Sequence, residues 1–271
     1  MQQEPNFGTP HLFIDALQRP DRDDAWLAQK RKQMLQSQFS CEYPMTPEEA
    51  LAGSSEFVFP KEHVDAAHTP HIQHGRYVCP RHTLARRYDD PYGKCPLCPS
   101  KSQFRTCNFA IGWDIGGSGA KADASVGTVL DLTGPVVFIL EQHRFVGIPY
   151  PALGARIEEL HRDYPGALTS IEMSGIGAAV RGNLNIPDSQ LVEFWTTQRS
   201  KARIIGNVAI ALQTQELKYD EKKNPQLRTE LLGYMEDDEY CQTDTVMSLA
   251  VALDQAGTTP QPGTMLGFVL V

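Results

Sequence analysis

The sequence predicts an α/β fold in which a mixed β-sheet is flanked by helices. Three consecutive strand patterns cover residues 108–115, 125–132 and 135–145. Helical and strand patterns alternate after them, as they do where helical crossovers connect strands of one sheet. The chain has 271 residues, 41% of them hydrophobic, and is long enough to bury the core that such a sheet requires.

The spacing of apolar residues predicts the other elements in chain order. After the third strand, helices are predicted at 151–163, 175–184, 199–216 and 244–255, and strands at 168–172 and 190–195. Before the sheet, a helix is predicted at 23–43 and a short one at 46–53, where Thr46 opens a capping-box-like Thr-Pro-Glu-Glu. The predicted organisation is an arm at 1–60, an insert at 61–106, an α/β domain at 107–257 and a flexible tail at 258–271.

Charge and hydropathy exclude several classes of protein. No stretch approaches the roughly 20 consecutive apolar residues of a membrane span, and the N-terminal residues lack the pattern of a signal peptide. We therefore expect a cytoplasmic protein. The formal net charge of -8 argues against a surface that is basic throughout. It leaves room for a nuclease, because acids that hold divalent cations count as negative charge until the metal binds.

The insert contains two pairs of candidate zinc ligands. Cys79 and His82 stand in C-P-R-H, and after twelve intervening residues Cys95 and Cys98 stand in C-P-L-C. Tetrahedral zinc takes four such ligands, and it orders segments that lack a core of their own. Four protein ligands leave no open position, so we predict a structural zinc site. Cys107 is an alternative to His82, and ordinary reduced cysteines in a loop are the alternative to a metal site.

Three acidic residues are predicted to reach one end of the sheet from three different elements. Asp114 and Glu172 each end a strand pattern, and Asp244 begins the last helix. Carboxylates suit hard divalent cations, and two such cations about 4 Å apart can hydrolyse a phosphodiester. Clustered carboxylates would repel one another without a metal. The pattern therefore predicts a two-metal site, although Asp244 taken alone is also an ordinary helix cap.

Several segments resemble the nuclease domain of the large terminase subunit of tailed bacteriophages, which has an RNase H-like fold. They are GWDIGGSGAKADASVGTVLD (112–131), YPGALTSIEMSGIGAAVRGNL (164–184), TTQRSKARIIGNVAIAL (196–212) and TDTVMSLAVAL (243–253). SQFSCEYPMTPEEALAGSSEFVF (37–59) resembles the linker between the family's motor ATPase and its nuclease. The resemblance covers residues 25–60 and 107–255.

The resemblance implies an endonuclease that cuts double-stranded viral DNA concatemers during packaging into a procapsid. It implies that Asp114, Glu172 and Asp244 hold two Mg²⁺ or Mn²⁺ ions and that Asp123 is an auxiliary catalytic acid. The implied partners are DNA, a motor ATPase domain, the small terminase subunit and the portal, in the host cytoplasm. The sequence has no G-x-x-x-x-G-K-[ST]. We therefore expect the cutting half of a terminase without its motor.

Two features depart from the family pattern. Many members have paired aspartates before the last helix, whereas Thr245 stands at the second position here. The third metal ligand is therefore open between Asp244 and the nearby acids Asp237, Asp238 and Glu239. The zinc-like insert is not a general feature of the family, and its role is open.

Basic residues that could contact the DNA backbone cluster at Arg199, Lys201 and Arg203. Further candidates are Lys218, Lys222 and Lys223 before the last helix, and Arg86 and Arg87 in the insert. Nothing in the sequence indicates that base edges are read. We therefore expect weak sequence preference and strong dependence on salt.

Two other functions compete with the nuclease. D-I-G-G-S-G-A-K at 114–121 also resembles the first phosphate loop of sugar kinases and actin-like ATPases. Those proteins need a second glycine-rich Asp loop, and residues 145–271 contain no second D-x-G-x-G. The other alternative is a zinc-stapled DNA-binding or assembly module without catalysis.

Overall fold

The chain divides into two compact units, Met1–Glu56 and Phe57–Val271. The computed structural model describes residues 16–33, 39, 43, 45, 58–70, 72, 74–79, 81–82, 87–90, 92, 95, 97, 105–119, 122–235 and 243–257. The predicted helix at 46–53 and the predicted tail at 258–271 lie outside these residues. The predicted domain boundaries stay predictions.

In its described part, the first unit has one α-helix, α1 (Asp24–Gln33), after a 3₁₀ turn at Ala16–Gln18. The Asp23 carboxylate accepts a hydrogen bond from the Trp26 amide at 2.7 Å, so Asp23 caps the helix start. Leu27 and Phe39 form a small buried cluster. The helix predicted at 23–43 is confirmed for its first half.

The second unit contains the remaining elements. Its helices are α2 (Lys61–Ala67), α3 (Tyr150–Asp163), α4 (Gly177–Arg181), α5 (Gln198–Gln213), α6 (Pro225–Gly233) and α7 (Asp244–Asp254). Its strands are β1 (Tyr77–Val78), β2 (Arg87–Tyr88), β3 (Arg105–Thr106), β4 (Phe109–Asp114), β5 (Ser125–Asp131), β6 (Val137–Phe145), β7 (Leu168–Glu172), β8 (Leu191–Phe194) and β9 (Leu217–Tyr219). None of the described helices is long and apolar enough to cross a membrane.

Six strands form one mixed sheet in the order β8-β7-β4-β5-β6-β9. β4, β5 and β6 pair antiparallel, as strands that follow one another in the chain can without a helical crossover. β7 and β8 extend the sheet in parallel to β4, and β9 runs parallel to β6. The predicted mixed sheet flanked by helices is therefore confirmed.

In the insert, α2 and the short strands β1, β2 and β3 were not predicted, and within residues 107–257 three elements differ from the sequence prediction. The helix predicted at 175–184 is only the five-residue α4. β9 was not predicted, because three residues are too few to show a strand period. α6 was not predicted either, although Pro225 stands in its first turn, where proline is favoured.

The two faces of β4 pack against different helices. Phe109, Ile111 and Trp113 are buried in one cluster with residues of α3. On the opposite face, a Cβ atom at Gly112 would lie 2.3 Å from the Ala252 amide nitrogen and 2.4 Å from the Ser248 carbonyl oxygen, both in α7. Helix α7 can therefore approach the strand so closely only because residue 112 is glycine.

We expect Gly112→Ala to lower the free energy of unfolding by about 3 kcal/mol, because the new methyl group would overlap the α7 backbone. Thermal unfolding followed by circular dichroism would measure the change. Gly119→Ala is the matched control, since a Cβ atom there would meet nothing within 4 Å. Equal midpoints for the two variants would contradict the packing of α7 described here.

Candidate acidic metal site

Two of the predicted acids end neighbouring strands. Asp114 is the last residue of β4 and Glu172 the last residue of β7. The two strands are parallel, with Trp113 opposite Ile171, so both chains reach the same edge of the sheet one residue later. Asp114 is partly buried, and Glu172 is only 5% exposed. The sheet thus presents two adjacent carboxylates at one edge.

The third acid reaches this edge from α7, of which Asp244 is the first residue. One of its carboxylate oxygens, Oδ2, accepts hydrogen bonds from the Ala124 amide at 3.3 Å and from Arg144 Nη2 at 3.4 Å. Ala124 precedes β5, and Arg144 lies on β6 opposite Val126, which itself pairs with Asp114. These contacts place Asp244 beside the loop that follows Asp114.

The charges of the neighbouring acids act on Asp114. Among the described residues, the oxygens of the three carboxylates do not all lie within 4.8 Å of one another. Burial, followed by the charges of Asp244, Glu172 and Glu230, raises the pKa of Asp114 to about 8, against the opposing charge of Lys201. Burial is also the main cause that raises the pKa of Asp244; the Ala124 amide and Arg144 oppose it, and the charge of Asp123 adds to it. A divalent cation would relieve this repulsion.

A tight turn after β7 fixes Glu172. Its Oε1 atom accepts a hydrogen bond from the Ser174 amide at 3.0 Å. A Cβ atom on Gly177, at the start of α4, would lie 1.9 Å from the Glu172 carbonyl oxygen. Glycine at this position therefore lets the chain turn back over the end of the strand.

Comparison with solved structures identifies the fold. The large terminase nuclease of thermophilic phage G20c with bound zinc matches with a TM-score of 0.50 and 23% sequence identity, over 71% of this chain and 96% of that chain. The same nuclease with bound magnesium matches with a TM-score of 0.50 and 21% identity, over 71% and 95%. The chain has the fold of a phage large-terminase nuclease domain.

A longer large terminase also matches this chain over part of its length. The large terminase of another thermophilic bacteriophage matches with a TM-score of 0.57 and 11% identity, over 93% of this chain and 56% of that chain. No family model matches the sequence, and no curated protein does. The predicted resemblance to terminase nucleases is therefore confirmed at the level of the fold.

Sequence reasoning missed one acid of this terminase-like site. Glu230, on α6, is 3% exposed. Its Oε2 atom accepts hydrogen bonds from the Thr245 amide at 2.7 Å, the Thr245 hydroxyl at 2.5 Å and the Val246 amide at 3.4 Å. Glu230 therefore caps the start of α7 from another helix. It also accepts the hydrogen bond of the Thr245 hydroxyl, and Thr245 is the residue that replaces the second aspartate of the family pattern. No sequence motif marks it.

A buried polar network holds the same end of α7 against the sheet. Gln142 Nε2 donates to Thr128 Oγ1 at 2.8 Å and to the Thr245 carbonyl oxygen at 3.1 Å. The Thr128 and Ser248 hydroxyls share a hydrogen bond of 2.6 Å. These bonds join β5, β6 and α7, so they help to fix the position of Asp244.

The predicted DNA-binding residues of the terminase-like fold lie on α5. Lys201 is close enough to the acids for its charge to oppose the rise in the pKa of Asp114. Arg199 is exposed. Arg203 forms a two-bond ion pair with the carboxylate of Asp254, which engages its guanidinium within the protein. DNA contact by these residues stays a prediction.

The insert brings three of the four predicted zinc ligands together. Cys79 Sγ, His82 Nδ1 and Cys95 Sγ all lie within 4.8 Å of one another, so this group can hold a metal ion. Cys98 lies outside the described residues, as do the fallback acids Asp237, Asp238 and Glu239. Cys107 is not in the cluster, and burial raises its pKa to about 11, which keeps it a protonated thiol.

Arg87 was offered by the sequence as a phosphate contact, and the structure places it elsewhere. Its guanidinium pairs with the Asp131 carboxylate at 2.7 Å, and both side chains are almost fully buried. A buried arginine cannot contact a DNA backbone, so this prediction was wrong.

We expect Asp114→Asn to stabilise the metal-free protein at pH 8 by about 2 kcal/mol. A change in pKa between the unfolded and folded states can alter stability by about 1.4 kcal/mol for each pH unit that it spans. The expected gain is smaller than this maximum because the site opens to solvent. The folded-state pKa of about 8 lies above the ordinary value of 3.8, so the folded protein binds more protons between these limits. Its stability must therefore fall as pH rises through this window. Thermal unfolding in EDTA at pH 5 and pH 8 would measure the difference.

The gain from Asp114→Asn should be larger at pH 8 than at pH 5. Excess Mg²⁺ serves as the control, because a bound cation should stabilise the wild type and narrow the gap. A loss of stability at pH 8 would contradict the repulsion between the acids.

We expect Glu230→Ala to lower the free energy of unfolding by about 2 kcal/mol, because three donors at the start of α7 would lose their acceptor in a buried place. Denaturation in urea would measure the change. Glu159→Ala is the matched control, since Glu159 is an exposed helical glutamate paired with Arg156. A loss no larger than that of the control would show that Glu230 does not support α7.

Proposed function

We propose that the chain is a metal-dependent endonuclease that cleaves double-stranded viral DNA during genome packaging. The observation that carries the proposal is the meeting of Asp114, Glu172 and Asp244 at one edge of the sheet. They arrive from two strands and a helix, within the fold of a terminase nuclease. An ordinary structural role does not explain a carboxylate such as Asp114, whose pKa is raised by burial and by the charges of Asp244 and Glu172.

The residues present fit a site for Mg²⁺ or Mn²⁺. The donors are carboxylate oxygens, which hard cations prefer, and the metal-free cluster is electrostatically unfavourable. Solved structures of the G20c nuclease contain magnesium, zinc or cobalt. Two bound cations would activate water and stabilise the leaving oxygen of a phosphodiester. We assign Asp114, Glu172 and Asp244 as the ligands of both ions.

Asp123 and Arg144 would support these ligands. The charge of Asp123 acts on Asp244, and Asp123 precedes Ala124, whose amide binds the same carboxylate. We assign Asp123 as an auxiliary acid of the site. Arg144 holds Asp244 Oδ2 and carries a positive charge at the edge where a phosphate must approach. Arg144 therefore orients the third ligand.

DNA would approach this edge along α5. Of the three predicted basic residues, Lys201 has the strongest support, because its charge reaches Asp114. Arg199 is exposed two residues earlier, and Arg203 would have to leave Asp254 to bind phosphate. Binding through a few phosphate contacts would weaken steeply as salt rises.

We also propose partner proteins for the chain and a second metal, which binds away from the acidic edge. A large terminase that contains ADP matches this chain with a TM-score of 0.55, over 88% of this chain and 52% of that chain. This similarity supports a motor ATPase domain as a partner. On the same ground we propose the small terminase subunit and the portal as further partners, and the host cytoplasm as the location of the protein. We also propose that zinc, in the insert, is a structural cofactor.

The ATPase alternative has less support. Its phosphate loop would use the amides that follow Asp114, yet the Gly116 amide donates to Ser125 Oγ at 3.0 Å. A Cβ atom at Gly116 would also lie 2.0 Å from the Asp123 carbonyl oxygen, so this glycine closes the loop on itself. ATP binding is the measurement that separates this alternative from the nuclease.

Cleavage of supercoiled plasmid in Mn²⁺, Mg²⁺ or EDTA tests the proposal. We expect nicked and linear DNA with either metal and none in EDTA. Asp114→Ala should lower the rate by at least about 100-fold, since a direct ligand matters more than an outer-shell partner, whose loss costs roughly 10- to 100-fold.

Asp188→Ala is the control, because the Asp188 side chain is 86% exposed. Asp188 lies in the turn before β8, at the end of the sheet opposite to the three acids. Undiminished cleavage by Asp114→Ala would refute the site. Binding of ATP together with no cleavage in either metal would favour the ATPase. Metal-independent DNA binding without cleavage or ATP binding would favour the non-catalytic module.

A further inference from the structure

The described part of the insert contains a compact sulfur and nitrogen cluster. Cys79 Sγ lies 3.7 Å from His82 Nδ1, and Cys95 Sγ lies 3.6 Å from the same nitrogen. Cys79 is fully buried, and Cys95 is 3% exposed. The His82 amide donates to the Cys79 carbonyl oxygen at 3.1 Å, so a tight turn brings these two ligands together.

These distances match the edges of a zinc tetrahedron. Bond lengths of about 2.3 Å to sulfur and about 2.1 Å to nitrogen give a sulfur to nitrogen separation of about 3.6 Å at the tetrahedral angle. Hydrogen bonds alone explain the arrangement less well, because one ring nitrogen has a single lone pair and two thiols converge on it. A shared cation satisfies all three atoms at once.

We propose that Cys79, His82 and Cys95 bind a structural zinc ion. Sulfur and imidazole ligands favour zinc over the hard cations that suit the acidic edge. Cys98 stays the sequence-based expectation for the fourth ligand, because short Cys-x2-Cys spacing is typical of such sites. The proposal rests on ligand chemistry in the insert and does not depend on nuclease activity.

The local structure of the insert explains why it needs a metal. Its strands β1, β2 and β3 have only two residues each. Val78 and Cys107 pack into the core of the main sheet, whereas Cys79 and Cys95 form a separate buried pair. Such short strands without a core of their own are not stable alone, and a metal supplies the missing free energy.

The zinc ion would hold the insert against one end of the main sheet. Cys79 directly follows β1, and Val78 in β1 pairs with Arg87 in β2. Arg87 forms the buried ion pair with Asp131, the last residue of β5. Such a pair is favourable only when its geometry is maintained, and a zinc ion that fixes the loop between β1 and β2 maintains it.

This site is distinct from the acidic edge. Asp131 pairs with Phe109 at the first residue of β4, whereas Asp114 is the last residue of the same strand. Five residue steps along a strand separate the two ends by about 17 Å. The proposed zinc is therefore too far away to be one of the two catalytic cations.

Cobalt substitution tests the proposal without DNA. The purified chain is stripped of metal and titrated with Co²⁺. A charge-transfer band from thiolate to cobalt can arise only from sulfur ligands, so cobalt bound at the carboxylates cannot produce it. We expect this band, and its loss when one equivalent of Zn²⁺ is added.

Metal analysis of variants tests the ligands. We expect about one zinc per chain after dialysis against Mg²⁺, and an affinity lowered at least about 100-fold in Cys95→Ser and His82→Gln, since direct ligands matter more than outer-shell partners. Cys107→Ala is the matched control, because Cys107 is also buried but lies outside the cluster, and it should keep both the zinc and the cobalt band.

A ligand variant could fail to fold, so a second experiment uses the wild type. A competing chelator removes zinc from the folded wild-type protein. We expect the thermal midpoint to fall on removal and to recover when zinc is restored. Absence of the cobalt band from the wild type would overturn the proposal, as would zinc binding by Cys95→Ser that equals that of Cys107→Ala.

Discussion

The close contact between α7 and β4 is the constraint on which the candidate site depends. Gly112 has no side chain, and the backbone of the helix therefore lies directly against the strand at this residue. Because Asp114 is two residues further along the same face of β4, the first residue of α7 arrives beside it. The acidic cluster thus follows from backbone packing, and the glycine is as much a part of the site as the carboxylates.

This arrangement opposes folding in one respect and supports it in another. Burial and the charges of the neighbouring acids raise the pKa of Asp114 and so disfavour its ionised form. The fold offsets this with the cap that Glu230 provides and with the bonds from Gln142 and Thr128 to α7. An acidic site of this kind has an unfavourable electrostatic energy when it is empty, and hydrogen bonds hold its backbone in place. Such a site is suited to binding cations, because binding removes the repulsion without moving the backbone.

Five of the six strands of the main sheet, and the elements that carry the three acids, could be predicted because their signals are local. Apolar runs that end in Asp114 and Glu172 are visible in the sequence, and so is the apolar helix that begins at Asp244. Glu230 could not be predicted, since its partner Thr245 is 15 residues away and neither residue type indicates the contact. The burial of Arg87 also escaped prediction, because a charged residue in a polar insert normally remains in solvent.

The two proposed metal sites lie at opposite ends of one strand pair and use opposite ligand chemistry. Oxygen ligands at the end of β4 favour hard cations, whereas sulfur and nitrogen ligands in the insert favour zinc. This difference in ligand chemistry would favour a different metal at each site. It also separates the roles of the two sites: the buried pair of Arg87 and Asp131 links the insert to the sheet, and the carboxylates remain at the edge proposed to meet DNA. An insert at the acidic edge would obstruct the approach of DNA, whereas one at the far end supports the sheet and leaves the site open.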